Sequence, residues 1–75
     1  MRILNVVELI DGQISIESFV IHENENAAIE AAEELFMLKA KENGATDDEI
    51  DSMVEAMEFG GDDYGCYMVW STVNE

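Results

Sequence analysis

Positive charge is what this chain has least of. Two lysines and one arginine stand against eighteen carboxylates in 75 residues, a formal net charge of −15. So few cations exclude direct nucleic-acid binding, which needs Lys and Arg around any stacking aromatics, and an anionic membrane face repels the chain for the same reason. Cys66 is the one cysteine. It has no partner for an intrachain disulfide, and a reducing compartment follows. One histidine and one cysteine are too few ligands for a zinc site. No apolar run approaches the ~20 residues of a membrane span. The opening Met1-Arg2-Ile3-Leu4 is broken by Asn5 and Glu8, too early for a signal peptide.

Catalytic patterns are also missing. Cys66 falls inside an apolar segment with Tyr64, Tyr67 and Trp70 and has no base beside it, so it reads as a small buried hydrophobe. His22 precedes a helix start and reads as a loop or capping residue. The chain has no Asp-x-Asp-x-Asp-Gly loop. Gly60-Gly61-Asp62-Asp63 offers two ligands, too few for an ordered calcium site. The reading is a non-enzyme with no metal and no cofactor.

What is present is a foldable apolar pattern, 48% of the residues, above what an acidic disordered tail would carry. A single domain over residues 1–75 is expected. Residues 2–10 and 13–21 read as strands around Asp11-Gly12, a two-residue type I′ turn signal. That turn pairs Ile10 with Gln13, Val7 with Ile16 and Ile3 with Val20. Alternation then collects Ile3, Val7, Leu9, Ile14, Ile16 and Val20 on one face, the expected core. Leu4, Val6, Phe19 and Ile21 share the other face, beyond Glu8, Gln13, Ser15 and Glu17.

Residues 24–43 read as a helix, capped by Asn24 or Asn26 and closed by Gly44 in the left-handed conformation. Its stripe is Ala28, Ala32 and Leu35, flanked by Ile29 and Phe36 on one side and Ala31 and Leu38 on the other. Thr46-Asp47-Asp48-Glu49 is a capping box that opens a second helix over about 46–58, with Ile50, Met53, Val54 and Met57 inward. Residues 64–73 read as a third strand. The expected fold is α+β in the order ββααβ, a mainly antiparallel three-stranded sheet with a helical hairpin on one face.

The carboxylates are unevenly placed. Fourteen of them lie between Glu23 and Asp63. In the second helix Asp48, Asp51, Glu55 and Glu58 follow at offsets of three, four and three, neighbours on one helical face with no lysine between them. At ~1.5 Å of rise per residue they stand roughly 4.5–6 Å apart, near the phosphate spacing of a nucleic-acid strand. Asp47, Asp62 and Asp63 extend the row, and Glu30, Glu33 and Glu34 point outward from the first helix.

In size, charge and compact α+β build the chain resembles the small acidic inhibitors of phages and mobile elements, which mimic nucleic acid and block anti-phage nucleases, restriction enzymes or CRISPR effectors. That resemblance implies an inhibitor in the cytoplasm of a bacterial host. Its partner would be a basic nucleic-acid-binding protein or nuclease complex, engaged by Glu30, Glu33, Glu34, Asp47, Asp48, Asp51, Glu55, Glu58, Asp62 and Asp63. The alternative from the residues is a small homo-oligomeric or accessory interaction module whose charge only solubilises it. Helices on the Ile3 face would leave Leu4, Val6, Phe19 and Ile21 bare, and a two-fold dimer would form through them.

Overall fold

The computed structural model describes residues 2–23, 26–61 and 63–72. In chain order these form β1 (Arg2–Ile10), β2 (Gln13–Ile21), α1 (Asn26–Glu42), α2 (Asp47–Ala56), β3 (Glu58–Gly60) and β4 (Tyr64–Thr72). The fold is α+β, with two helices and one antiparallel sheet of four strands in the order β2-β1-β4-β3. The Asn24 cap, Asp62 and Val73 lie outside the described residues.

The hairpin register follows from its turn. Asp11 and Gly12 both adopt positive φ, 50° and 80°, as a type I′ turn requires. Ile10 accordingly pairs with Gln13, Val7 with Ile16 and Ile3 with Val20. Gly44 takes φ 102° just past α1. Thr46 opens α2: its N–H donates to Glu49 Oε1 at 3.2 Å, and its hydroxyl donates to the same oxygen at 3.0 Å.

Two features differ from the sequence reading. The first is β3, which makes four strands instead of three. Met57 turns into the left-handed region at φ 61°, and α2 stops at Ala56 instead of reaching residue 58. The chain then runs beside β4, pairing Phe59 with Cys66 and Gly60 with Gly65. A Phe between Glu58 and two glycines looks like a turn. It becomes a strand because Gly60 has no Cβ to hold the two backbones apart.

The second is the side that the helices choose. α1 lies across β1, β2 and β4, and α2 packs beside it toward β3. They cover Leu4, Val6, Ile21, Cys66 and Met68, which with Ala32, Phe36, Ala40 and Met53 form the core. The face bearing Ile3, Val7, Leu9, Ile14, Ile16 and Val20 is the uncovered one. Self-association through Leu4, Val6, Phe19 and Ile21 is therefore overturned: three of these are fully buried and Phe19 packs against them. The helix stripe is rotated to match. Ala32, Phe36 and Ala40, four residues apart, face the sheet, while Ala31 and Leu38 are exposed. The alanines let the helix backbone approach, and Phe36 fills the space between them.

Glu8 shows how a polar residue is tolerated on the covered face. Lys39 reaches it from the last turn of α1, with Nζ 3.3 Å from Oε1. The Tyr64 hydroxyl lies 3.2 Å from Glu8 Oε2 and 3.2 Å from the Lys39 carbonyl. The charge is paired and hydrogen-bonded where it leaves water.

Candidate functional site

Three places on the molecule have the makings of a site: the Cys66 cluster, the acidic layer of helices and the bare sheet face.

Cys66 is fully buried on β4. Burial pushes its thiol upward, against a hydrogen bond with Tyr64 that lowers it, and the nearby Glu8 carboxylate raises it again. Burial, and then contact with Cys66 and Glu8, pushes the Tyr64 phenol up as well. A thiol held protonated is a poor nucleophile. Both shifts have the same consequence for stability. The unfolded chain loses each proton first, near the ordinary values of 9.0 for the thiol and 10.0 for the phenol. The associated stabilisation is complete below those values and is lost as pH rises above them. The urea midpoint should therefore fall from about pH 9 to about pH 11, and Tyr64→Phe should flatten the upper part of that fall. An unchanged midpoint across that range would contradict the assignment.

The acidic layer is built by the two helices. Glu30 and Glu34 are exposed on α1, with Glu33 half-buried between them; Asp47, Asp48, Asp51 and Glu55 are exposed on α2. Asp48, Asp51 and Glu55 form the expected row on one helical face. Glu58 leaves that row, because the helix has ended, and stands on β3 opposite Tyr67. Asp63 is exposed in the turn before β4.

All three basic side chains are already engaged. Lys39 pairs with Glu8 and Lys41 Nζ lies 3.1 Å from Asp47 Oδ1. Arg2 sits over the Trp70 ring at 4.4 Å, a cation–π contact. Among the described residues, Glu30, Glu33, Glu34, Asp48, Asp51, Glu55, Glu58 and Asp63 have no Lys or Arg partner. Nor do any three His, Cys, Asp or Glu among those residues group as ligands for a metal ion.

Beside the row, α2 and β3 enclose a groove of about 590 Å³. Asp48, Glu49 and Glu58 stand around it, and Met53, Phe59 and Tyr67 supply apolar wall. The sequence reading missed the groove because it missed β3. Phe59 between Glu58 and two glycines was the available signal.

The uncovered sheet face is the third surface. Ile14 is 67% exposed, Ile16 60%, Val69 48%, Val20 44% and Tyr67 38%. Tyr67 lies back over Gly65, where an added Cβ would meet its hydroxyl at 2.6 Å. Asn5 crosses the middle of the face. Its Nδ2 donates to the Val69 carbonyl at 3.1 Å and to Ser71 Oγ at 3.0 Å, and its Oδ1 accepts from the Ser18 hydroxyl at 2.6 Å. By alternation through the paired registers, Glu58 is the one charged residue on this face among those described.

No family model matches this chain, and no curated protein or solved structure matches it. Among the described residues, no helix is long and apolar enough to cross a membrane.

Proposed function

We propose that this chain is a non-catalytic inhibitor of the phage or mobile-element type, acting in a bacterial cytoplasm. It presents its helix layer as a nucleic-acid-like anionic surface to the basic groove of a nucleic-acid-binding protein or nuclease complex. One observation carries the reading. Every Lys and Arg is already engaged within the fold, and the row Asp48, Asp51 and Glu55 has none of them. An ordinary solvated helix interleaves lysines at such positions. Here the relief has to come from counterions or from a cationic partner, and a partner that displaces counterions gains affinity as nucleic acid does. The adjoining groove suits the apolar stem of a lysine or arginine whose head meets Asp48 or Glu58.

The test is capture of a partner from a bacterial lysate in low salt and its release in high salt, where the Debye length shrinks from about 10 Å to about 3 Å. Asp51→Lys together with Glu55→Lys should weaken binding by about 100-fold, each reversal contributing about 1.4 kcal/mol. Both side chains are exposed, so the circular dichroism spectrum should not change. Undiminished binding by that double variant would overturn the proposal. The second reading, an interaction module with a merely solubilising charge, is favoured by the bare apolar sheet face.

A further inference from the structure

The charge of this protein is segregated, and the segregation marks a surface. Of eighteen carboxylates, the described residues place only Glu58 on the outer face of the sheet. The other described carboxylates lie on the helices, in turns or on the covered side. The outer face carries Ile3, Val7, Leu9, Ile14, Ile16 and Val20 with Tyr67 and Val69. A chain this rich in acid leaves a single carboxylate on the face that has no cover.

The polar groups in the middle of that face are arranged for desolvation. Asn5 uses both amide hydrogens and its carbonyl oxygen within the sheet, and Ser18 and Ser71 are its partners. A side chain whose hydrogen bonds are internally met can leave water at little cost, whereas an unmet one would oppose burial strongly. Solvent exposure alone does not call for that arrangement. Tyr67 folded over Gly65 adds a flat ring to the same surface.

We infer that the outer sheet face packs against the same face of a second copy of this chain, giving a two-fold dimer with two sheets face to face and the acidic helices outward. Charge decides the occupant. A cationic protein gains little from a surface with one carboxylate, and an anionic one whose charge extends to its own contact face is repelled. A second copy brings a matched apolar area and carries its own charge on the far side. Three nine-residue strands, at about 3.3 Å per residue and about 4.8 Å between strands, span roughly 30 by 15 Å. Two such footprints bury on the order of 1,000 Å² of accessible surface, about the least a specific interface needs. A two-fold axis parallel to the strands sets β2 over the partner's β3 and keeps the two Glu58 carboxylates on opposite flanks; an axis across the strands would bring them together.

The inference stands apart from the inhibitor reading, because the row Asp48, Asp51 and Glu55 lies on α2, on the covered side of the sheet; of the side chains, Glu58 and Tyr67 alone belong to both the groove and the outer face. Sedimentation equilibrium of the full chain tests it. A dimer is expected, with a dissociation constant that falls between about 0.05 M and about 0.5 M salt as repulsion between the copies is screened. Ile16→Glu introduces two carboxylates per dimer and should raise that constant at least about 100-fold. Ile16 is 60% exposed in the free chain, so the variant should remain folded by circular dichroism. Val69→Glu, on another strand of the same face, repeats the test should the first variant lose its fold. Asp51→Lys with Glu55→Lys should leave the dimer intact. A monomer at both salt concentrations, or a dimer that survives either face variant, would overturn the inference.

Discussion

Phe36→Ala is expected to lower the melting temperature by roughly 12–40 °C. Phe36 is the largest fully buried side chain in the core, set between Ala32 and Ala40 on α1 and facing the sheet. Its removal costs about 3–5 kcal/mol in lost transfer energy and in the cavity left behind. A domain of this length has only about 4–11 kcal/mol in total. Each kcal/mol moves the midpoint of such a domain by about 4–8 °C. The neighbours cannot close the gap, because Ala32 and Ala40 are too short to reach into it and the strands are fixed by their ladder. Thermal unfolding followed by circular dichroism reads the effect. A fall of less than about 5 °C would mean that the core is looser around this ring than its full burial implies.

Gly60→Ala is expected to cost about 2–3 kcal/mol, an unusually large effect for an exposed position. A Cβ at Gly60 would strike the backbone oxygen of Tyr64 and lie 2.9 Å from Gly65 Cα. Backbone cannot rotate away as a side chain does. The strain falls where the Gly61 N–H donates to the Tyr64 carbonyl at 2.8 Å. The predicted result is an opened end of β3 and a distorted groove beside α2, seen as rapid hydrogen exchange at Gly61 together with a lower urea midpoint. Gly65→Ala is the control. Its Cβ would meet only the far end of the Tyr67 side chain, which can swing aside, so the cost should be smaller. Equal costs for the two variants would show that backbone contact is not the cause.

The sequence and the structure agree where a local rule has one solution. Asp11-Gly12 admits one hairpin register, and Thr46 with Glu49 admits one helix start. They part where two solutions have nearly equal local merit. Alternation shows which residues share a face of the sheet but not which face the helices take. The Ile3 face is the more uniformly apolar, so it was the expected core. The Leu4 face had Glu8 against it. That objection is removed by Lys39, thirty-one residues away in sequence, and by Tyr64 from the last strand, partners that local pattern cannot reveal. Glu58 reads as part of the acidic row for a similar reason. Helical spacing was continued one turn too far, past Met57, a residue type that rarely takes the left-handed conformation. Most of the described carboxylates of the candidate acidic surface were legible as exposed, but Glu33 is half-buried, and the pairing of Asp47 with Lys41 across the loop is not visible in local pattern. The groove was not, since it depends on β3.

The strand order has a consequence for how the molecule comes into being. β1 lies between β2 and β4, and its pairing with β4 joins Arg2 to Thr72. On the ribosome β1 and β2 emerge before the other described elements and form their hairpin within microseconds. The other edge of β1 must then wait for the whole of α1, α2 and β3 to be synthesised, several seconds at about 5–20 residues per second. During that interval a long strand edge and the Leu4–Val6 core face are both open on the nascent chain. The dense carboxylates that follow in α1 and α2 are made next. Like-charge repulsion between neighbouring nascent chains would then keep those open edges from finding each other before β4 arrives.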